Sequence, residues 1–385
     1  MLDAAKLIGN ADAFPVLQHW TFFNHAGVAP LPRIATDQIR RYANQAQMQG
    51  YIGSNWYVDI EHLRKLSAKL IGAHRDEIAF VKNTSEGIAT VAQGIDWQWG
   101  DVIVTTNVEY PANIYPWMDL VRTRGVKLDM VPEIQRADGA HEVPIDAIVR
   151  AAENPKCKMI ALSMAEYASG QRHDVERIGQ FCRDNGKLFC LDAIQAVGIM
   201  PVDVVKMNVD FLSADGHKWM LGPEGAGIFY CRRALLERTR PLMIGWMNVV
   251  NAQNYGHYDF TLRPDAGRFE CGTYNVPGLL GLLGALTLID EVGVEVIFAR
   301  VQMLLDRLTD GLRAKGYQIV SPREPIARSG MLSFKSHGHS HELIVKKLRE
   351  SRIEIAKREG RLRVSPHFYN TEEQIDKLLE LLPSH

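Results

Sequence analysis

Between about residue 70 and residue 240 the chain alternates short β-branched runs with helical patterns. This alternation restricts the fold more than any other feature. The runs are Glu77–Val81, Asp101–Thr105, Lys158–Leu162, Lys187–Asp192, Asp210–Ser213 and Gly227–Cys231. Helical patterns at Ser85–Gly94, Ala112–Arg124, Pro144–Glu153 and Val175–Asn185 lie between them. Strand, helix, strand in repetition predicts a mostly parallel sheet with both faces covered. The expected class is α/β.

After about residue 290 the pattern changes. An amphipathic helix at Gly293–Lys315 precedes strands at Tyr317–Ser321 and Gly330–Lys335. A helix at His341–Ser351, strands around Ile353–Ala356 and Leu362–Ser365, and a helix at Glu372–Leu382 follow. Thr371 with Glu372 and Glu373 reads as a helix cap with acids in the first turn. At 385 residues the chain is long enough for two cores. The division expected is a large domain over 16–275 and a small α+β domain over 276–385, with residues 1–15 packing on either.

A formal net charge of −1 offers no global basic excess for nucleic acid or an anionic membrane. The apolar stretch Val276–Ile289 is too short to span a bilayer and is rich in glycine, so it reads as a core or interface helix. Five cysteines, an odd number with no CxxC pair, suit a reducing compartment. The first residues lack a basic segment followed by an apolar run, so the expected location is the cytoplasm.

The chemistry gathers around Ser213–Phe229, where Lys218 stands between a strand and a glycine-rich turn. A lone loop lysine is usually just solvated. Three companions change that reading. Asp192 ends a buried strand, at the sheet edge where ligands bind in parallel sheets. Asn83-Thr84-Ser85-Glu86-Gly87 joins a strand to a helix, and helix starts hold phosphates. Tyr110, in Glu109-Tyr110-Pro, puts an aromatic ring at the same edge. Pyridoxal phosphate (PLP) needs these parts. A lysine forms the Schiff base, an acid keeps the pyridine nitrogen protonated, a helix start takes the phosphate, and an aromatic ring stacks on the cofactor.

With Asp192-x-x-Gln195 followed by Gly216-His217-Lys218, the chain resembles the class V aminotransferases, fold type I PLP enzymes. That family includes cysteine desulfurases, isopenicillin N epimerase-like proteins and kynureninase. The likeness runs from Phe23–Pro30 to Phe368–Glu373. It implies a mostly parallel sheet of the seven-stranded type and a smaller C-terminal α+β domain. It implies that Lys218 is the Schiff-base lysine and moves the Cα proton, and that Asp192 pairs with the pyridinium nitrogen. Gln195 is implied at the ring hydroxyl, with His217, Thr84, Ser85 and the Glu86 N–H around the phosphate. Tyr110 takes the stacking place. Gly272-Thr273 matches a loop that reaches the opposite subunit's phosphate, which implies a homodimer. Arg363 matches the arginine that holds the substrate carboxylate, and Asn24 and His25 match a loop near the substrate.

Departures from the family bear on the reaction. Desulfurases carry a reactive cysteine shortly before the carboxylate arginine, whereas Ile353–Arg363 holds none. Cys271 is the one cysteine expected near the site, and a small buried apolar role is the stronger reading for it. Arg358 is a candidate second anion-binding arginine. Asp215 stands where desulfurases have serine facing the phosphate. A carboxylate there is repelled, so it is expected to turn toward a backbone N–H or His217. Tyr167 stands where an asparagine near the ring hydroxyl is common. Trp246 and Tyr255–Tyr258 are candidates for shaping the substrate pocket.

The expected function is an amino-acid-transforming PLP enzyme, with transamination as the main reading. The alternatives are a C–S lyase of the cysteine-desulfurase kind and an epimerase. A PLP-binding protein without turnover is disfavoured, because Lys218 and Arg363 are both present. A dinucleotide-binding protein is disfavoured by the lack of a G-x-G-x-x-G turn. His337, His339 and His341 have no acid or thiolate nearby, so no metal is expected.

Overall fold

The computed structural model describes residues 4–384, so residues 1–3 of the N-terminal segment lie outside the described residues. Seven strands form the main sheet. They are β1 (Ile78–Val81), β2 (Val102–Thr106), β3 (Lys127–Val131), β4 (Cys157–Ser163), β5 (Leu188–Asp192), β6 (Phe211–Asp215) and β7 (Gly227–Cys231). Their spatial order is β1-β7-β6-β5-β4-β2-β3. β7 runs antiparallel to both of its neighbours, while β2 to β6 pair in parallel. The α/β class and the mostly parallel sheet expected from the sequence are both present. The sequence reading named no strand at β3. It is an edge strand whose residues are mostly exposed, so it lacks an apolar run.

Helices cover the faces. α1 (Arg33–Gln49) and α2 (Trp56–Leu70) precede the sheet. α3 (Thr84–Gly94), α4 (Tyr115–Arg124), α5 (Ile145–Ala152) and α6 (Val175–Asp184) connect its strands. Then comes α7 (Val276–Val292), which is apolar all round and buried along its length. A Cβ at Gly284 would sit 2.8 Å from the Ile34 carbonyl oxygen, so glycine lets α1 lie directly on α7. That contact makes α7 an internal core helix. Among the described residues no helix is long and apolar enough to cross a membrane.

The C-terminal part carries α8 (Val294–Ala314), α9 (His341–Glu350) and α10 (Glu372–Leu381). Its four-stranded sheet has β8 (Gln318–Ile319), β9 (Leu332–Lys335), β10 (Ala356–Arg358) and β11 (Arg361–Val364), in the order β8-β9-β11-β10. The N-terminal segment joins this part. Thr21–Phe22 pairs in parallel with Ile353–Glu354, and Asn24 bridges Ser365. Phe14 stacks on Tyr369 at 3.9 Å between ring centroids. This strand exchange carries Asn24 to the end of β11, beside Arg363.

Candidate active site

The carboxyl ends of β1, β2, β4, β5 and β6 face the end of β11 across a cavity of about 570 Å³. Lys218 lies on its floor. The loop after β6 closes tightly, with the Gly222 N–H donating to the Gly216 carbonyl at 2.8 Å and the Leu221 N–H to the Lys218 carbonyl at 3.0 Å. Lys218 is 9% exposed, and its Nζ lies 5.5 Å from the centroid of the Tyr110 ring. Burial draws its amine down to about 8, opposed by Asp192 and assisted by the nearby Arg363 and Arg358. A buried amine near neutrality is prepared to form a Schiff base and to take a proton.

Asp192 ends β5 in the middle of the sheet. Its Oδ1 accepts from the Ile194 N–H at 3.0 Å. Its Oδ2 is buried without any partner. Burial raises this carboxyl to about 6. A lone oxygen in that position wants a donor, and a protonated ring nitrogen is one. Gln195 lines the same cavity. Its Oε1 accepts from Trp219 Nε1 at 2.8 Å and its Nε2 donates to the Ala26 carbonyl at 3.2 Å, leaving one amide hydrogen. Trp219, itself fully buried, is the prop of this glutamine.

The start of α3 lies at the cavity edge. Asn83 caps the helix through Oδ1, which accepts from the Glu86 N–H at 2.9 Å. That N–H, implied for the phosphate, is therefore engaged by the cap. Thr84 and Ser85 begin the helix, and their N–H groups have no intrahelical acceptor. Thr84 Oγ1 accepts from the Asp215 N–H at 3.1 Å, which ties the helix start to β6. Gly87 permits this closeness, since a Cβ there would lie 2.2 Å from Ser213 Oγ. Thr84, Ser85, Asp215 and His217 line the cavity together. Asp215 turns as expected, its Oδ1 accepting from the Gly216 N–H at 2.7 Å and its Oδ2 lying 2.9 Å from His217 Nδ1.

The opposite wall belongs to β10, β11 and the N-terminal strand. Arg363 is fully buried. Its Nη1 donates to the Tyr167 carbonyl at 2.6 Å and its Nη2 reaches Asn24 Oδ1 at 3.4 Å. Its Nε has no partner, and no carboxylate neutralises the group. Burial, with Arg358 close by, disfavours its charge, so an incoming carboxylate gains from pairing there. Arg358 is exposed and lines the same cavity.

His25, Gly272 and Thr273, site residues named from the sequence, stand outside this cavity. His25 is wholly buried behind the wall, its Nδ1 2.8 Å from the Ser365 carbonyl and its Nε2 2.6 Å from the Tyr369 hydroxyl. It braces the strand that carries Asn24 and does not line the cavity. Gly272 and Thr273 line a second cavity with Lys82, Glu86 and Cys271. His341 Nε2 accepts from the Ser336 N–H at 3.0 Å. Among the described residues no group of three metal-ligating side chains occurs.

Sequence reading missed three features. Arg349 and Glu354 form a two-pronged ion pair at 2.6 and 2.8 Å on the cavity wall. Only the turn after α9 brings them together, so no spacing signal marks them. Tyr167 packs edge-on to Tyr110 at 5.3 Å. Behind both tyrosines lies a buried acid cluster. Glu109 accepts from the Ser163 N–H at 2.6 Å, and Glu166 lies 3.0 Å from Thr106 Oγ1 and from His173 Nε2. Burial raises Glu166 to about 8 and holds His173 near 4.

The unpartnered Asp192 oxygen, the buried lysine, the open helix start and the bare arginine fit PLP and an amino-acid carboxylate. Fold and site together define a PLP-dependent enzyme of fold type I. The family described as Aminotransferase class-V matches residues 21–378, and the chain belongs to it. A Pyrococcus abyssi protein named a probable cysteine desulfurase is 30% identical over 96% of this chain and 94% of its own length. The cystine C–S lyase C-DES, solved with its reaction product cysteine persulfide, has a TM-score of 0.87 at 26% identity, covering 95% of this chain and 98% of that one. A lysine variant of C-DES, with glycine covalently linked to the PLP cofactor, has a TM-score of 0.88 at 26% identity, covering 96% and 98%.

Proposed function

We propose that this enzyme is a C–S lyase that cleaves a disulfide amino acid such as cystine by β-elimination. One observation carries the reading. None of the residues lining the Lys218 cavity is a cysteine. Four of the five cysteines are buried, and Cys271 lines the second cavity. Without an enzyme thiol to receive it, sulfur has to leave with its own stable product. A persulfide is a better leaving group than a simple thiolate, because its conjugate acid is stronger. Cystine and water then give cysteine persulfide, pyruvate and ammonia. The names of the relatives support this lyase alternative over transamination, the main expectation from the sequence.

Bound PLP supplies an electron sink for the charge left at Cα. The protein's own groups do the rest. Asp192 Oδ2 would hold the ring nitrogen's proton, Thr84, Ser85 and His217 would hold the phosphate, and Tyr110 would supply the aromatic face. Arg363 fixes the α-carboxylate with donors that the protein leaves free. Lys218 Nζ takes the Cα proton, and its lowered basicity keeps part of the population unprotonated at neutral pH. Arg358, at the exposed rim, suits the distal carboxylate of a disulfide substrate.

The test is a substrate screen on the holoenzyme. Cystine is expected to release pyruvate and persulfide in equal amounts, with cysteine much slower. A keto acid retaining both sulfurs, with the cofactor left in its amine form, would establish transamination instead. A homodimer is part of the proposal, since Gly272 and Thr273 lie outside the Lys218 cavity of their own chain. Light scattering is expected to give twice the chain mass. A reducing setting is proposed from cysteine usage, and the cytoplasmic location is checked by fractionation.

A further inference from the structure

Asp215 is an acid where the site wants to receive a phosphate. It is buried and shares the cavity with Thr84, Ser85 and His217. A free carboxylate in that place would repel the cofactor. The geometry removes the conflict. Oδ1 is held by the Gly216 N–H at 2.7 Å. The Asp215 N–H is held by Thr84 Oγ1 at 3.1 Å, so the residue is fixed to the helix start at its main chain. Oδ2 is then left 2.9 Å from His217 Nδ1, within ion-pair reach but outside hydrogen-bond geometry. His217 is itself anchored, its carbonyl accepting from the Ala29 N–H at 2.8 Å.

A carboxylate 2.9 Å from one imidazole nitrogen restrains the ring's orientation and leaves the other nitrogen, Nε2, for a ligand.

We propose that Asp215 is a positioning residue for the cofactor phosphate, acting through His217, whose ring it holds in place for Nε2 to meet the phosphate. The acid that stands where related desulfurases have serine thus works with the phosphate site rather than against it. This rests on the reading of the Lys218 cavity as the PLP site.

A double-mutant cycle tests it. Asp215→Asn keeps an oxygen for the Gly216 N–H while removing the charge, and Asp215→Ser removes the carboxylate if the asparagine variant folds poorly. Apo proteins are titrated with PLP, and the holo forms are compared by the 31P resonance of the bound phosphate. Asp215→Asn and His217→Ala are each expected to weaken PLP about tenfold, the loss of one charge-assisted hydrogen bond. The double variant is expected to be no weaker than His217→Ala. The 31P resonance of Asp215→Asn is expected to move toward that of free PLP. Additive losses, or an Asp215→Asn protein with wild-type affinity and resonance, would overturn the proposal. If His217→Ala binds PLP as wild type does, the assignment of the phosphate site fails as well, and the two failures are told apart.

Discussion

Asp192 and Arg363 are both buried charges, and each keeps one polar atom without a partner. The regions that hold them are built differently. Asp192 ends the central strand of the large sheet, and its neighbours on the cavity floor are the ends of adjacent strands. Arg363 lies in a short strand of the small sheet, and its partners Tyr167 and Asn24 come from segments 196 and 339 residues away. The floor repeats one device, a strand end followed by a capped loop, and under the proposed function would serve the cofactor. The wall is assembled from distant pieces and would serve the substrate. An oxygen without a donor on the floor and a nitrogen without an acceptor on the wall mark what each side is shaped to take.

Substitutions on the two sides should therefore fail in different ways. The largest effect belongs to the floor. Lys218→Ala is expected to lower turnover by on the order of 10³-fold or more, since under the proposed function both cofactor attachment and Cα proton transfer would go through it. Its holo form should lack a visible band that borohydride bleaches. Asp192→Asn is expected to reduce kcat by on the order of 10²-fold and to shift the cofactor absorbance, with KM little changed. On the wall, Arg363→Gln removes the partner of a buried carboxylate, a loss of about 2–5 kcal/mol in kcat/KM. Its cofactor spectrum should stay as in wild type, which separates wall from floor. Arg358→Ala is expected to raise KM about tenfold for substrates with a distal carboxylate and to leave the others unchanged. A cofactor shift in either arginine variant would break the division.

The smallest effect is on stability. Burial holds the Glu166 carboxyl up near 8, so the folded protein keeps a proton that the unfolded chain releases above the ordinary carboxylate range. The resulting stabilisation is complete below that range and is lost as pH rises through about 8. Urea titrations at about pH 6 and about pH 9 should show Glu166→Gln losing less stability between them than wild type.

The same contrast explains what the sequence could reveal. Floor residues sit in contiguous motifs with strong local signals. Asp192 follows an apolar run, Thr84 and Ser85 open a helix, and Lys218 stands before a glycine turn. Arg349 and Glu354 gave no signal, because their meeting depends on the turn after α9. His25 was read as lining the site through its neighbour Asn24. The chain turns directly after Asn24, with the Gly27 N–H donating to the Asn24 carbonyl at 3.0 Å, and the His25 ring lies in the core. The Glu86 N–H was implied for the phosphate, but the Asn83 cap had engaged it. The strand β3 was missed because edge strands need no apolar run. Burial governs legibility here: the buried strands were readable, the edge strand β1 included, while the exposed β3 and the Arg349–Glu354 pair left no local signal.

The most direct test is the product balance from cystine with PLP-loaded enzyme. One pyruvate and one cysteine persulfide per cystine consumed, with an unchanged cofactor spectrum, is the expected result. Consumption of cystine with no pyruvate, leaving the cofactor as its amine, would contradict it.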